Sequence, residues 1–551
     1  MEKFLITAAL PYAESIPHLG NLTGSILPAD VFYKYLVMNK ADAIFICGSD
    51  EHGSPIEIQA FKKGIEPKEL ADKMHKEIKS VLEKFECSFS YYGETNSDSN
   101  REMVNMIFEL LYKNGYIVET EETVPYCNID KRVLSDRFIE GTCPYCGSAN
   151  ARGDQCDDCG HLLDPTQLIN PHCKICGGSD ISFIKSKNLA IDLKKLAPQI
   201  KGFIEQNKAN NWSRNAVNKA LSYIEQGLQP RDITRDLSWG FPVSMKGYET
   251  KKFYVWFDAL IGYIGITKEW NNEKWKDYWI KSPETKLIQF MGKDNIEFHT
   301  LMWPGILIGT DYGFTLPHTI KAFEYLNLKG GKFSKSRGTG LTTQEALEIL
   351  PAEYWRFVLM YVLPETADTE FSISMLVETI DNVLNNKIGN MLHRIFTFVK
   401  SNREVFENRL EKNITEKEIL KLIDRYNENF MKLNIREALK TVVELAENAN
   451  LIISRDQPWS LLKEEKTDQD AQKKLLKITS TLVHAAYAVS IMLWPFMPKA
   501  SENALSHFGI NGTPTIDLIE KEININFEAE AKPLFSKLTE REIKMLEKYS
   551  I

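Results

Sequence analysis

Long charge-free runs are nearly missing from this chain of 551 residues. The exception, 478–497, is long enough to span a bilayer. It also holds Thr479, Ser480, Thr481, His484, Ser490 and Pro495, the mixture of a buried helix in an all-helical domain rather than of a membrane span. The start, MEKFLITAALPY, lacks the basic region and small-residue cleavage site of a secretory signal and reads as a buried strand. Positive charge is not in excess: 67 Lys and Arg against 75 Asp and Glu leave −8. That excludes a general nucleic-acid coat, though not a local basic face. Fixed-period repeats and low-complexity segments are also missing. Cysteine is scarce, nine in all, of which seven fall between Cys127 and Cys176. Mostly paired as CxxC in a chain without a signal, they make the cytosol the expected compartment. What is present, 43% hydrophobic and 26% charged residues, is a globular composition long enough for roughly three or four domains.

From Lys3 to Tyr116 short apolar strands (FLITAAL, DAIFICGS) alternate with helical periodicity, the rhythm of βαβ units and a parallel sheet. Residues 119–229 shift toward Cys, Gly, Asp and Pro and read as an insertion. The rhythm resumes from Pro230 to Asn327, with FYVWFDALIGYIGI and KLIQFMGKDN each expected as a strand running into a polar corner. A Lys- and Gly-rich loop follows at 328–340. From about Asp381 the pattern is helical, with no convincing strand until near the end. The expected units are 1–118 and 230–325 as halves of one Rossmann-like domain, 119–229 as the insertion, 326–380 as the loop region, and 381–551 as an all-α bundle.

Ligands of open α/β sheets gather where strands end and helices begin, because free N–H groups and the positive dipole end collect there. LPYAESIPHLGNLTGS, 10–25, occupies such a corner. Gly20 admits close backbone approach, and His18 and Asn21 offer donors, so a phosphate is the suggested ligand. The plainer reading makes His18 a loop residue and Gly20 a turn. The second strand ends in GSDEHGSP, where Asp50 and Glu51 beside a phosphate site call for a cation, an amino group or Mg²⁺. In GGKFSKSRGTG, Lys332 and Lys335 sit on a glycine-flanked loop able to close on a polyphosphate. Phe333 after Lys332 rules out a Walker A loop.

Cys143, Cys146, Cys156 and Cys159 form two CxxC pairs, each followed by glycine, the spacing of a closed Cys₄ zinc site. A pair of disulfides is the competing reading. Cys127, Cys173 and Cys176 are expected to form a second zinc knuckle, with Asp130 or His172 as fourth ligand.

PHLGN after the first strand and KFSKS some three hundred residues later resemble the HIGH and KMSKS signatures of class I aminoacyl-tRNA synthetases. Within that class ALPYAESIPHLGN, DEHGSPIEIQA, RDLSWGFP, YVWFDALIGY, GKDNIEFHTLMWPG and GGKFSKSRG resemble the methionyl-tRNA synthetase family, over a span from about residue 4 to beyond 500. Asn21 stands where some members have a second histidine, and Phe333 replaces the methionine of KMSKS. The resemblance implies methionyl-adenylate formation from Mg²⁺-ATP with release of pyrophosphate, then transfer to the terminal ribose of a methionine tRNA, the initiator included. It assigns His18, Asn21, Arg235, Lys332 and Lys335 to catalysis, and His18, Gly20, Asn21, Lys332, Ser334 and Lys335 to ATP. Asp50 would take the methionine ammonium, with Leu10, Tyr12, Trp256, Ala259, Leu260, Tyr263 and His299 around the side chain. Phe298 and Trp303 read better as core. The resemblance also implies an anticodon-reading bundle, with Asn390 and Arg394 one helical turn apart and Trp459 as a stacking platform. Without an appended β-barrel domain, a monomer is expected.

Three other functions fit less well. Isoleucine, valine or leucine synthetases would need a larger insertion, and a cysteine enzyme a zinc ligand where this chain has ALPY. A zinc-dependent nucleic-acid module leaves the phosphate corners unused, and a small-metabolite nucleotidylyltransferase leaves the helical third unexplained.

Overall fold

The computed structural model describes residues 2–549 apart from 135–137, 150, 154, 155, 157, 160, 162, 211, 281, 282, 329–339, 466 and 467. Its centre is a parallel sheet of five strands, in spatial order Pro317–Phe323, Thr285–Gly292, Lys3–Ala8, Asp42–Ser49 and Tyr91–Glu94. Lys3–Ala8 is buried along nearly its whole length, as a strand covered on both faces by helices must be. Chain order runs outward from it in both directions. Lys3 registers with Asp42 on one side and with Thr285 on the other, so the crossovers diverge at its carboxyl end and leave a crevice there.

Between the two halves the chain leaves the sheet as a long antiparallel ribbon, Ile117–Cys127 against Ile181–Ile191. Its tip carries the cysteine region, whose small apolar core includes Leu134, Phe138, Ile139 and Ala151. The return to the sheet differs from the sequence expectation at one element. Val255–Trp270 is an α-helix, not a strand. Twelve of its sixteen residues are buried, because it is wedged between the sheet and the helix Asp98–Lys113. Such an all-round apolar run has no period to separate helix from strand. Its glycines decide the packing: a Cβ on Gly265 would fall 2.6 Å from the Cα of Asn100. KLIQFMGKDN does form a strand, Thr285–Gly292.

Beyond the sheet, Leu326–Leu328 pairs in parallel with Thr369–Phe371. From residue 381 on, the described residues hold helices and irregular chain, including 521–538 where the sequence pattern leaves room for a strand. The longest helix, Gln469–Met492, is apolar enough by length and composition to cross a membrane, and 78% of its most apolar window is buried inside the protein. The helical third packs directly on the helix Leu27–Met38 beside the sheet: the Tyr35 and Phe430 rings stack at 4.1 Å. Arg356 bridges the same seam.

Candidate active site

At the carboxyl end of the first strand lies a cavity of about 990 Å³. Its lining includes Leu10, Tyr12, His18, Gly20, Asn21, Asp50, Arg235, Trp256, Ala259, Leu260, Tyr263 and His299. Residues spread over almost three hundred positions of sequence thus meet at one place. Lys332, Ser334 and Lys335 lie outside the described residues. The chain that follows their loop is tied to the opening corner, since Leu19 N–H donates to Leu341 C=O at 3.2 Å and Thr343 N–H to Pro17 C=O at 2.8 Å.

His18 caps the helix that begins at Leu19. Its Nδ1 accepts from Asn21 N–H at 3.1 Å, while Asn21 Oδ1 accepts from His18 N–H at 3.3 Å. Each ring or amide is therefore oriented by its acceptor atom. A neutral imidazole that accepts at Nδ1 carries its proton on Nε2, so both side chains keep a donor, Nε2–H and Nδ2–H₂. The helix then widens over Leu22–Ile26, a distortion common at functional sites. Gly24 in that turn faces Gly292: a Cβ on it would stand 4.0 Å from the Gly292 Cα. Two bare backbones therefore border the cavity, a feature sequence reading missed. It also missed Glu122, Asp294, Asn295, Tyr325 and Asn327, which are part of the lining. Glu122 and Asn327 lie on strands and Asp294 and Asn295 on a 3-10 turn, so polar side chains in a region of strand pattern were the available signal.

Asp50 is almost fully buried, and a backbone bridge between 12 and 50 fixes it beside Tyr12. Burial, then the charge of Asp258, push its carboxyl well above the ordinary range. Among the described residues no cation pairs with it; its Oδ1 accepts from His52 N–H at 3.4 Å. Asp258 is held by His52 Nδ1. On the opposite wall His299 is buried, and burial lowers its imidazole to about 4. The neutral ring sits 3.0 Å from Asn295 C=O through Nδ1 and 2.9 Å from Tyr263 Oη through Nε2. The carbonyl can only accept, so Nδ1 carries the proton and Nε2 accepts from the tyrosine. Trp256 stacks flat on Phe298 at 3.6 Å and meets Tyr12 edge-on at 6.5 Å. Phe298 supports the wall from behind, and Trp303 is fully buried in the core. Arg235 reaches the cavity rim but is paired with Glu122, with Asp232 at 3.6 Å.

At the ribbon tip the Sγ atoms of Cys143, Cys146, Cys156 and Cys159 lie within 4.8 Å of one another. Cys143–Cys159 is 3.8 Å and Cys146–Cys156 3.6 Å. Four sulfurs held about 2.3 Å from one ion in a tetrahedron stand about 3.8 Å apart, whereas a disulfide needs about 2.05 Å. All nine cysteines are free thiols, so the disulfide reading is overturned. A second group joins Cys127, Cys173 and Cys176 with Asp130; Cys173 Sγ is 3.1 Å from Asp130 Oδ2. His172 is not part of it. It neighbours Cys173 on the strand Ile169–Cys173, so the two side chains leave opposite faces.

In the helical third, the Arg394 guanidinium lies 5.6 Å over the Trp459 ring, which is 41% exposed. Asn390, one turn earlier, is exposed and donates to Asn386 Oδ1 at 3.4 Å.

An open parallel sheet with a donor-lined helix start, a buried carboxylate and an aromatic wall at its switch point defines a nucleotide-binding α/β enzyme that also takes a small ammonium compound. The family model described as tRNA synthetases class I (M) matches residues 4–396, and the chain belongs to that family. The methionine–tRNA ligase of Pyrobaculum islandicum is 39% identical over 570 residues, covering 100% of this chain and 96% of that protein. That of Aeropyrum pernix is 38% identical, covering 93% of this chain and 90% of its own. The Mycobacterium tuberculosis methionyl-tRNA synthetase bound by methionyl-adenylate matches the fold with a TM-score of 0.77 at 20% identity, over 97% of this chain and 100% of that one.

Proposed function

We propose that the chain is a methionine–tRNA ligase: it joins methionine and ATP into methionyl-adenylate with release of pyrophosphate, then passes the methionyl group to the terminal ribose of its tRNA. The observation that carries this reading is the meeting of Asp50, the His18–Asn21 corner and the Tyr12–Trp256–Tyr263–His299 wall in one cavity. A buried carboxylate without a cation is a costly feature that a substrate ammonium relieves. Methionine supplies that ammonium. Its sulfur and methylenes match the aromatic wall, each S–aromatic contact adding roughly 0.3–1.5 kcal/mol.

The first step is a displacement at the α-phosphorus. A methionine carboxylate oxygen forms the new P–O bond while the bond to the β-phosphate bridging oxygen breaks. Little covalent help is needed, so positioning and charge stabilisation do most of the work. Nε2–H of His18 and Nδ2–H₂ of Asn21 are the donors for the α-phosphate oxygens as their charge grows. Gly20 and Gly24 let the nucleotide lie close to the backbone. Lys332, Ser334 and Lys335 bind the β- and γ-phosphates, and Mg²⁺ enters with ATP. Arg235 contacts the triphosphate once it exchanges Glu122 for it. In the second step the ribose hydroxyl attacks the acyl carbon and AMP leaves.

The two cysteine groups each hold Zn²⁺, the first through four thiolates, the second through three thiolates and Asp130. With all ligands from the protein no coordination position is open for chemistry, so both ions stabilise a tip whose own core is small. Arg394 and Trp459, with Asn390, contact the anticodon. The division into a sheet domain (1–118, 230–325), insertion (119–229), loop region (326–380) and bundle (381–551) assigns one task to each. The enzyme acts as a cytoplasmic monomer without a membrane.

ATP–pyrophosphate exchange across a panel of amino acids tests the substrate. Exchange that requires methionine alone is expected; none with any amino acid, or a preference for another one, overturns the reading. In the same preparation Trp459→Ala is expected to raise KM for tRNA by roughly tenfold or more, the worth of one stacked base, and to leave exchange unchanged.

A further inference from the structure

Glu51, the neighbour of Asp50, has no part in the chemistry above. It is fully buried. Its Oε1 accepts from Ser49 Oγ at 3.0 Å, and its Oε2 has no hydrogen-bond partner. Three elements converge on it: the end of the strand Asp42–Ser49, the end of the strand Tyr91–Glu94, and the helix Pro67–Lys84 that carries His75. Strand register sets Ser49 opposite Glu94. A carboxylate oxygen of Glu51, a ring nitrogen of His75 and a carboxylate oxygen of Glu94 lie within 4.8 Å of one another. An ion centred among three such atoms is at most about 2.8 Å from each, so bonds of about 2.0–2.2 Å need side-chain shifts below about 1 Å.

We propose that Glu51, His75 and Glu94 hold a divalent metal ion of the class that accepts imidazole together with carboxylate. The donor set suits Zn²⁺, Mn²⁺ or Fe²⁺ better than Ca²⁺ or a thiolate-preferring ion. Local charge agrees. Among the described residues His75, at 3.8 Å, is the ion-pair partner of Glu51, and burial, then Lys79, lower its imidazole to about 4, so it brings no charge near neutrality. Lys68 on the facing helix is engaged by Asp72 at 2.8 Å. Burial, then Glu94, raise Glu51 to about 8. Two carboxylates therefore meet without a cation, and either an ion or a shared proton must compensate them. Ser49 supplies the outer contact expected of a metal site: its Oγ touches Glu51 Oε1 and stands 2.7 Å from His75 Nδ1, orienting both ligands. The ion ties two strand ends and a helix together directly behind the carboxylate that receives the substrate ammonium.

Mn²⁺ is the probe, because it favours carboxylate and imidazole and leaves the thiolate clusters alone. The full-length chain as purified, without nucleotide, is titrated while free Mn²⁺ is followed by electron paramagnetic resonance. One bound ion per chain is expected, with affinity lost at least tenfold in both Glu94→Gln and His75→Gln, and circular dichroism confirming that each variant is folded. Wild-type protein that binds no stoichiometric Mn²⁺ overturns the proposal, as does binding that survives both substitutions. Glu51→Gln separates the ion from a shared proton. With an ion it abolishes Mn²⁺ binding and removes the rise in melting temperature that Mn²⁺ gives the wild type; if Mn²⁺ gives the wild type no such rise, the cluster holds only a proton and the proposal fails.

Discussion

Two groups of charges are buried beside the parallel sheet, and they are built on opposite plans. Around Asp30 every charge is answered. Arg356 pairs with it at 2.7 Å and Lys34 at 2.6 Å, and Arg356 also donates to the carbonyls of Phe496 at 2.9 Å, Pro495 at 2.8 Å and Phe85 at 3.1 Å. Around Asp50 the carboxylates of Glu51 and Asp258 gather too; His52 stands on Asp258 and His75 lies 3.8 Å from Glu51, but among the described residues no cation stands on Asp50 itself. Both groups are nearly solvent-free. On the proposed function the difference marks their tasks: the paired network around Asp30 fixes one arrangement of bundle on sheet, whereas Asp50 is kept for a substrate cation that comes and goes.

Breaking the satisfied network has the largest expected cost. Arg356→Met strands three carbonyls and removes one of the two cations on Asp30, for a loss of about 3–5 kcal/mol, read in urea unfolding. Arg356→Lys keeps the charge and should recover part of it. A loss below about 1 kcal/mol for the methionine variant would mean that the bundle holds to the sheet by apolar packing alone. At the other centre the sign for stability reverses. Asp50→Asn removes a group whose ionisation burial already opposes, so its melting temperature should equal or exceed that of the wild type. Activity bears the cost instead. Losing one partner of a desolvated charge pair takes about 2–5 kcal/mol, so kcat/KM for methionine in pyrophosphate exchange falls by about 30-fold to several thousand-fold. An unchanged kcat/KM, or a melting point lowered as far as in Arg356→Met, would erase the distinction between the two centres.

The same contrast explains what sequence alone revealed. Asp50, His18 and Asn21 stand in short polar corners after apolar strands, where the ligands of open α/β sheets gather. The CxxC spacings carry the geometry of the first cysteine cluster within a few residues and half of the second, which Cys127 and Asp130 complete from more than forty residues away. Long-range pairings carry no local mark. Arg356 lies in EYWRFVLM, which reads as an ordinary amphipathic helix with its charges outward, and its partner Asp30 is in a different helix far earlier in the chain. His75 sits likewise in MHKEIK, and only the register of Ser49 on Glu94 brings it to a second carboxylate. Asp130 prevailed over His172 because the strand alternation around Cys173 turns the histidine away, a matter of phase that composition does not show. Val255–Trp270 was misread as a strand for the related reason that complete burial erases amphipathic period.

A half-buried ion pair stands between the two plans and gives the smallest effect. Glu416, just before the helix Lys417–Met431, meets His484 Nδ1 at 2.7 Å, and His484 Nε2 lies 2.8 Å from Glu411 C=O. Burial alone would raise Glu416, but the His484 hydrogen bond and charge bring it down to about 2. Burial would likewise lower His484, yet the contacts with Glu416 and the Glu411 carbonyl leave it above its ordinary 6.5. The signs fix a window. A depressed carboxylate stabilises above its unfolded value of 4.5 and loses that contribution as pH falls toward 2; a raised imidazole stabilises below 6.5 and loses it as pH climbs through its folded value. The pair therefore contributes fully between 4.5 and 6.5, by on the order of 1–2 kcal/mol. Unfolding free energies of wild type and His484→Gln, measured from pH 3 to 9, should differ most inside that window and converge on both sides. A difference that stays constant across the range would show that His484 acts in the bundle by shape and neutral hydrogen bonding, as His299 does in the cavity, and not by charge.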